Sequence, residues 1–385
     1  MHLYIEILEK KKTSFNLLIK SMSLRKNKSS EKNKAFMRLA LELANQNKGL
    51  TGLNPSVGCV VTHKDEIISY GKTDINGRPH AEVVALKNNK INFKNSNMYV
   101  TLEPCIHYGK TPPCTNMIIK KKIKLVNYSI EDFDKRTAKK TKSVLKKNNI
   151  LAKIGLIKNE ANQFYKDYKF SKFNDIPYVT GKLAVSKNNR IYLFKKNITN
   201  EHSHKVSHLL RYRNQAILTS YKTINSDNPN LNCRIQGLEK FSPVKFIIDK
   251  DLKSKINSNV LKPNSNKTYI FHNKKDKNII NKFKNKNAKL IFMKIENNRF
   301  DLNTILKKIY TLGYANLLLE SGPNLLKSFL NNNLINDFYL FKADNKINLK
   351  NSVALNSFID LLSKKFKKRS QINTFLDKEK LFRYQ

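Results

Sequence analysis

Residues 79–82 read Pro79-His80-Ala81-Glu82, residues 101–105 read Thr101-Leu102-Glu103-Pro104-Cys105, and residues 109–114 read Gly109-Lys110-Thr111-Pro112-Pro113-Cys114. Taken singly each piece is weak, because a histidine two residues before a glutamate is common and a lone cysteine is usually a small buried hydrophobe. Together they supply one imidazole and two thiols, the donor set of a three-ligand zinc site whose fourth tetrahedral position is left for water. Glu82 lies too close to His80 in sequence to serve as a further ligand and is read as the proton shuttle. A cysteine must ionise before it binds zinc, and helix N-termini lower thiol pKa values. Pro79, Pro104 and Pro113 each precede a ligand, and proline favours the first helical position. The sequence therefore predicts that His80, Cys105 and Cys114 all occupy first turns of helices that meet at one sheet edge.

Working outward, Phe36, Leu39, Ala40 and Leu43 form an apolar helical stripe and Gly49 supplies a stop, which predicts a helix over about 35–47. Val57 to Thr62 reads as a strand, Lys64 and Asp65 as a turn, and Glu66 to Tyr70 as the return strand. A helix opened by Pro79, a strand at Met98 to Thr101, a helix from Pro112 and Pro113 to Lys120, and a strand at Ile123 to Tyr128 follow. This alternation implies a layered α/β/α domain over 35–172, preceded by a basic N-terminal extension, 1–34. Thr137 to Phe170 reads as helical with an apolar break at 150–157, and Lys172 to Pro177 as a linker. A second α/β domain is expected over 177–385, with strand-like runs at Val179 to Val185, Ala216 to Thr219, Val244 to Asp249, Thr268 to Phe271, Lys289 to Phe292 and Asn316 to Glu320.

The chain has 385 residues, enough for two ordinary cores, and its 40% apolar content is that of a folding chain. Its 74 Lys and Arg against 29 Asp and Glu give a net charge of +45, which would suit a nucleic acid. The lysines are spread along the whole length beside abundant Asn and Ile, as drift toward A and T rich codons would produce. No arginine-rich or aromatic-interleaved RNA module stands out. No nucleic-acid partner is therefore expected. Four cysteines do not make a disulfide scaffold, which favours a reducing compartment, the cytoplasm. No run reaches the roughly 18 apolar residues of a membrane span, and residues 1–34 carry Glu6, Glu9 and many lysines without a signal-type apolar core.

The H-x-E and P-C pattern is the signature of zinc nucleobase deaminases, which carry the two thiolates as C-x-x-C. Here eight residues, Ile106 to Pro113, separate the cysteines. With Asn54-Pro55-Ser56-Val57-Gly58-Cys59-Val60-Val61 upstream, the first half resembles the deaminase half of the bifunctional riboflavin-biosynthesis deaminase/reductases. The resemblance implies a cytidine-deaminase-like fold and hydrolytic deamination at C2 of a diaminopyrimidinone bearing a phosphoribosylamino group. It makes His80, Cys105 and Cys114 the Zn2+ ligands, Glu82 the catalytic residue, Asn54 a base-pocket residue and Lys110 a phosphate ligand. Read without it, Asn54 is a turn residue before Pro55 and Lys110 a solvated lysine. His63, in the hairpin turn, and His107, between the ligands, are excluded as primary ligands. Cys59 is assigned to core packing.

The second half resembles the reductase half, a dihydrofolate-reductase-like α/β domain using NADPH to open and reduce the ribose to a ribityl chain. The matching pieces are Lys182-Leu183-Ala184-Val185-Ser186, Leu210-Arg211, then Thr223, Asp227, Pro229, Leu231 and Arg234, and Glu320-Ser321-Gly322-Pro323. By this resemblance Arg211 and Arg234 bind the substrate phosphate, and Leu231 and Glu320 also contact the substrate. Ala184, Thr223, Asp227, Gly322 and Pro323 contact the cofactor, whose phosphate suits the helix start at Gly322. Two departures stand out: Asn188-Asn189 replaces the family's aspartate-glycine, and the following loop is shorter and lacks a tryptophan. The competing readings are a tRNA or other nucleic-acid deaminase, and a deaminase carrying an inactive reductase domain. The partner expected is a phosphoribosylated pyrimidine, with no membrane, and homo-oligomerisation is left open.

Overall fold

The computed structural model describes residues 29–192, 197–263, 265–284, 286–373 and 376–385, which fall into two compact units, 1–174 and 175–385. The expected extension 1–34 lies outside the described residues up to position 28. Its last six residues are helical, because helix α1 runs Ser29–Gln46 rather than from 35.

The first unit is a five-stranded sheet. Its strands are β1 (Gly58–His63), β2 (Glu66–Lys72), β3 (Asn97–Val100), β4 (Leu125–Tyr128) and β5 (Leu151–Ile154), in the order β2-β1-β3-β4-β5. β1 pairs antiparallel with β2 and β3, while β3-β4 and β4-β5 are parallel. The β1-β2 turn is the expected Lys64-Asp65, and both residues have positive φ, 46° and 68°. Such two-residue turns match the right-handed twist of the strands they join. Side chains alternate across the sheet as a period of two requires. Val60 and Tyr99 pack under α1 with Phe36, Met37, Leu39, Ala40 and Leu43. Cys59, Val61, Met98 and Val100 face the other way, onto α2 (Ala81–Leu86), α3 (Cys114–Lys120) and α4 (Thr141–Lys147). This is the expected α/β/α layering. A Cβ on Gly58 would stand 1.8 Å from the Ala40 carbonyl oxygen, so the close seating of α1 on β1 requires glycine there. After α5 (Lys158–Phe164), α6 extends Lys166–Asn174 through part of the segment expected as a linker.

The second unit is built on a nine-stranded sheet. Its strands are β6 (Tyr178–Val185), β8 (Ala216–Ser220), β9 (Val244–Ile248), β10 (Thr268–His272), β11 (Ala288–Phe292), β12 (Asn316–Glu320), β13 (Asp337–Lys342), β15 (Arg369–Ile372) and β16 (Lys380–Tyr384). The order is β11-β10-β9-β8-β12-β6-β13-β16-β15, parallel as far as β13 and then antiparallel. A two-stranded ribbon joins β7 (Arg190–Tyr192) to β14 (Ser352–Ala354). The central strands are buried on both faces, as parallel sheets demand. Leu218, Phe246, Leu317 and Leu319 line one core, and Ile217, Ile247, Ile270 and Leu318 the other. The six strand-like runs named from sequence match β6 and β8 to β12, and β7 and β13 to β16 are additional. The helices that carry site residues are α7 (Glu201–Tyr212), α8 (Tyr221–Asp227) and α11 (Pro323–Asn331), the last following α9 (Lys277–Asn281) and α10 (Leu302–Thr311).

Candidate active sites

Three donor atoms converge in the first unit. His80 Nδ1 lies 3.3 Å from Cys114 Sγ and 3.7 Å from Cys105 Sγ. All three donors fall within 4.8 Å of one another. Donors placed tetrahedrally at ordinary zinc bond lengths stand roughly 3.6–3.8 Å apart, so both the spacing and the N/S chemistry fit that ion. His80 is the N-cap of α2 and Cys114 the first residue of α3. Cys105 departs from the expectation, for it sits in the irregular segment after β3, not in a helix. It reaches a helix start all the same, because the Cys114 backbone N–H donates to Cys105 Sγ at 3.3 Å. Pro104 thus lies in the irregular segment that follows β3 instead of beginning a helix, while the thiolate still faces the positive end of α3. Hydrogen bonding from Cys114, together with His80, lowers the Cys105 thiol pKa to about 4. The shared proton and burial push the Cys114 thiol up.

Glu82, in the first turn of α2, is almost fully buried, and burial raises its carboxyl pKa to about 7, with the nearby His80 charge opposing. Asn54 donates from Nδ2 to the Gly77 carbonyl at 3.1 Å and thereby holds the turn that leads into His80. Gly77 has φ +84°, and a Cβ there would stand 2.4 Å from Asn54 Nδ2, so this close approach needs glycine. Lys110 is exposed on the loop between the two cysteines. Cys59 is fully buried in the sheet core.

Two first-unit residues carry structure that the motif reading passed over. Glu103 is buried beside Pro104 and accepts backbone N–H bonds from Asp132 at 3.1 Å, Lys139 at 3.0 Å and Thr141 at 3.0 Å. It ties the 131–141 loop to the segment that delivers Cys105, and Thr137 of that loop contacts His107 Nδ1 at 3.0 Å. Arg78 is the other, two residues before His80. A carboxylate closing an apolar strand before a proline, and an arginine abutting the histidine motif, were the available signals.

In the second unit, Glu320 ends β12 and Lys182 is its register partner on β6. Arg211, on α7, makes a two-pronged contact with Glu320, Nε to Oε2 at 3.0 Å and Nη2 to Oε1 at 2.8 Å, and gives Nη1 to the Asn232 carbonyl at 3.0 Å. Lys182 Nζ stands 3.5 Å from Glu320 Oε1. Burial opposes ionisation of Glu320, but Arg211 and Lys182 outweigh it and hold the carboxyl well below the usual range. His208, one turn before Arg211, contacts the Asn232 carbonyl through Nδ1 at 3.0 Å, and burial with the Arg211 and Arg234 charges lowers its pKa to about 4. Its imidazole is therefore neutral at physiological pH. Arg234 is exposed and reaches Asn232 Oδ1 at 3.3 Å. Leu231, with φ 51°, is buried in the core.

Thr223 lies at the start of α8 and Gly322 caps α11, with Pro323 in its first turn. The hydroxyls of Ser220, Thr223 and Ser321 stand 3.2–3.3 Å apart, and the Gly322 N–H donates to Thr223 Oγ1 at 3.3 Å. Nothing lies within 4 Å of where a Cβ would project from Gly322, so the helix start is open to a phosphate. Asp227 ends α8 and accepts from Ser226 Oγ at 2.7 Å, and Ala184 is on β6, half-buried. The Asn188-Asn189 departure makes a sound turn. Asn189 has φ 56°, the left-handed region that asparagine tolerates best after glycine. The Asn188 carboxamide both accepts from Ile347 N at 3.0 Å and donates to Ile347 O at 2.9 Å, which a carboxylate could not do.

Comparison with known proteins agrees with this geometry. Residues 30–130 match the cytidine and deoxycytidylate deaminase zinc-binding region, and residues 181–343 match the RibD C-terminal domain. The riboflavin biosynthesis protein RibD of Aquifex aeolicus is 34% identical over 81% of this chain and 87% of its own length. The chain belongs to the RibD family. The Bacillus amyloliquefaciens RibD is 32% identical over 80% of this chain and 83% of its own. Among solved structures, Acinetobacter baumannii RibD superposes with a TM-score of 0.79 at 25% identity, covering 92% of this chain and 99% of that one. A Thermotoga maritima protein, described as a diaminohydroxyphosphoribosylaminopyrimidine deaminase/5-amino-6-(5-phosphoribosylamino)uracil reductase, superposes with a TM-score of 0.75 at 25% identity and the same coverage. RibD membership makes this a bifunctional deaminase and reductase of riboflavin biosynthesis, with a zinc-binding deaminase region and an NADPH-dependent reductase region. Among the described residues no helix is long and apolar enough to cross a membrane.

Proposed function

We propose that the chain hydrolyses the C2 amine of 2,5-diamino-6-(5-phosphoribosylamino)pyrimidin-4-one and then reduces the ribosyl group of the product to a ribityl chain. The observation that carries this is the meeting of His80, Cys105 and Cys114 beside the buried carboxyl of Glu82. The Thermotoga relative's description names the same pair of compounds. Deaminase residues are assigned to 35–172 and reductase residues to 177–385.

His80, Cys105 and Cys114 hold the zinc ion, which when bound acidifies water enough to ionise near neutral pH. Glu82 takes the proton from the attacking water, passes it to the ring nitrogen and returns one to the departing amine. Its burial keeps the proton affinity of the carboxyl near neutrality, where a group can both accept and donate. Asn54 lines the base pocket and Lys110 meets the phosphate.

In the second unit NADPH supplies the hydride. Gly322 and Pro323 present the helix start to the cofactor's phosphate, and Thr223, Asp227 and Ala184 line its site. Arg234, with its exposed guanidinium, takes the substrate phosphate. Arg211 was expected to do the same, but its donors are committed to Glu320 and Asn232, which suits it better to orienting Glu320 toward the ribose. Leu231 lines the substrate pocket. The hydrolytic and reductive steps need only soluble components, and the cytoplasm is the proposed site.

RibD relatives that span both halves favour this reading over a nucleic-acid deaminase. The test follows ammonia release from the diaminopyrimidinone and then NADPH absorbance with the deaminated compound. A zinc-loaded chain should do both. No ammonia release would remove the deaminase assignment, and ammonia without NADPH consumption would leave the second unit inactive.

A further inference from the structure

Arg78 is a half-buried cation two residues before the zinc ligand His80. Its Nη1 donates to Thr111 Oγ1 at 2.5 Å and stands 3.4 Å from His80 Nε2. A Cβ on Gly109 would lie 3.4 Å from Arg78 Nη2, so the guanidinium runs alongside that backbone. Arg78 thus grips the residues on both sides of Lys110 and holds a second positive charge next to it.

Arg38, Arg136, Arg211 and Arg383 are paired with the carboxylates of Glu160, Asp134, Glu320 and Asp337. Arg78 has no carboxylate within 4 Å among the described residues. A guanidinium has five donors in a planar fork, and the Thr111 contact uses one. Two cations on adjoining segments, without an acid to neutralise them, repel each other unless an anion lies between them. The substrate proposed above brings such a group in its phosphoribosyl arm, and guanidinium matches phosphate geometry with paired bonds.

We infer that Arg78 is a specificity-determining residue of the deaminase site, which binds the substrate's phosphate jointly with Lys110 while its bond to Thr111 keeps the 106–113 loop seated beside the zinc ligands. This inference rests on the deaminase reading. It adds to that reading a residue that would distinguish phosphorylated from unphosphorylated pyrimidine ribosides.

Equilibrium binding and turnover are measured on the full zinc-loaded chain, with the phosphoribosylated substrate and its phosphatase-treated counterpart. Arg78→Met should weaken binding of the phosphorylated compound about tenfold, the size of one charge-assisted contact. Binding of the dephosphorylated compound should weaken by a clearly smaller factor, so that the ratio of the two affinities falls. Arg78→Lys should recover part of the loss, and inorganic phosphate should compete with substrate more weakly in Arg78→Met than in the unaltered chain. Equal weakening toward both compounds would reduce Arg78 to a loop latch and overturn the inference, as would no weakening toward either. The deaminase reading is judged separately, by ammonia release from the unaltered chain. Phosphate-dependent binding at Arg78 without that release would keep the residue's assignment and discard the reaction.

Discussion

The two candidate sites treat buried charge in opposite ways. Around His80 the first unit gathers two thiols and the Glu82 carboxyl, with one imidazole and no lysine or arginine bonded to the sulfurs or to Glu82 among the described residues. Around Glu320 the second unit gathers Arg211 and Lys182 about a single carboxylate, so the negative charge is matched within the chain. A buried anion costs far too much to leave alone, and it is either paired, protonated or bound to a metal. The first cluster is therefore incomplete without a cation from outside. The second is complete as it stands and is built to meet a neutral or anionic ligand. One is a metal centre and the other a substrate platform, and this difference can be tested from both sides.

The largest effects belong to the cluster that needs the ion. Cys105→Ser should abolish zinc retention and deamination together, with about one zinc per chain in the unaltered protein, read by metal analysis after dialysis. Glu82→Gln should keep the metal and lower the deamination rate by about 10²–10⁴-fold, the usual contribution of a positioned acid–base group. Zinc lost from Glu82→Gln would mean that the carboxylate is itself a ligand, and the contrast between the sites would have to be redrawn.

Next in size is removal of the carboxylate at the matched site. Glu320→Ala leaves the Arg211 guanidinium buried without its partner, which should cost about 3–5 kcal/mol in the chemical-denaturation midpoint of the second unit. Adding Arg211→Met to that variant should recover most of the loss, because two coupled partners removed together leave no orphan charge. Additive losses would show that the pair is not one electrostatic unit.

How far each site could be read from the sequence follows the same division. A metal centre fixes residue types and spacing, so His80, Glu82, Cys105 and Cys114 were legible as chemistry and the strands around them as alternation. Which element carried Cys105 was not, because Pro104 reads as a helix start, whereas bonds from distant residues hold that segment irregular, the three N–H bonds to Glu103 and the Thr141 hydroxyl on the Pro104 carbonyl among them. The matched site has no fixed spacing. Lys182, His208 and Arg211, on β6 and α7, are joined by Glu320 of β12 from more than a hundred residues further along the chain, and only the resemblance singled out Arg211 and Glu320. Nothing local foretold that Arg211 would face Glu320 instead of solvent. The strands β13, β15 and β16 escaped for another reason: Asp337, Lys342, Arg369, Lys380 and Arg383 break up their apolar pattern, and Arg383 is held by Asp337 at 2.5 Å.

The smallest expected effect comes from a charge at neither site. Lys245 is the second residue of β9, buried, with its Nζ donating to Ser265 Oγ and no carboxylate within 4 Å among the described residues. Burial lowers its pKa to about 8, from 10.5 in an exposed lysine. Below about pH 8 the folded and unfolded chains both carry the proton, and the full penalty of a buried cation is present. Between about 8 and 10.5 the unfolded chain binds more protons than the folded one, so stability should rise with pH through that window. Lys245→Met keeps the apolar stem, removes the charge and leaves Ser265 Oγ free to donate to the Val260 carbonyl at 3.1 Å. At pH 7 it should stabilise the second unit by about 1–3 kcal/mol, and the gain should shrink toward zero by about pH 10.5. The measurement is the denaturation midpoint by circular dichroism at both pH values. A loss of stability at pH 7 would mean that an unpaired cation is tolerated inside this sheet without an ion or ligand. The argument that the sulfur cluster must recruit one would then lose its physical basis.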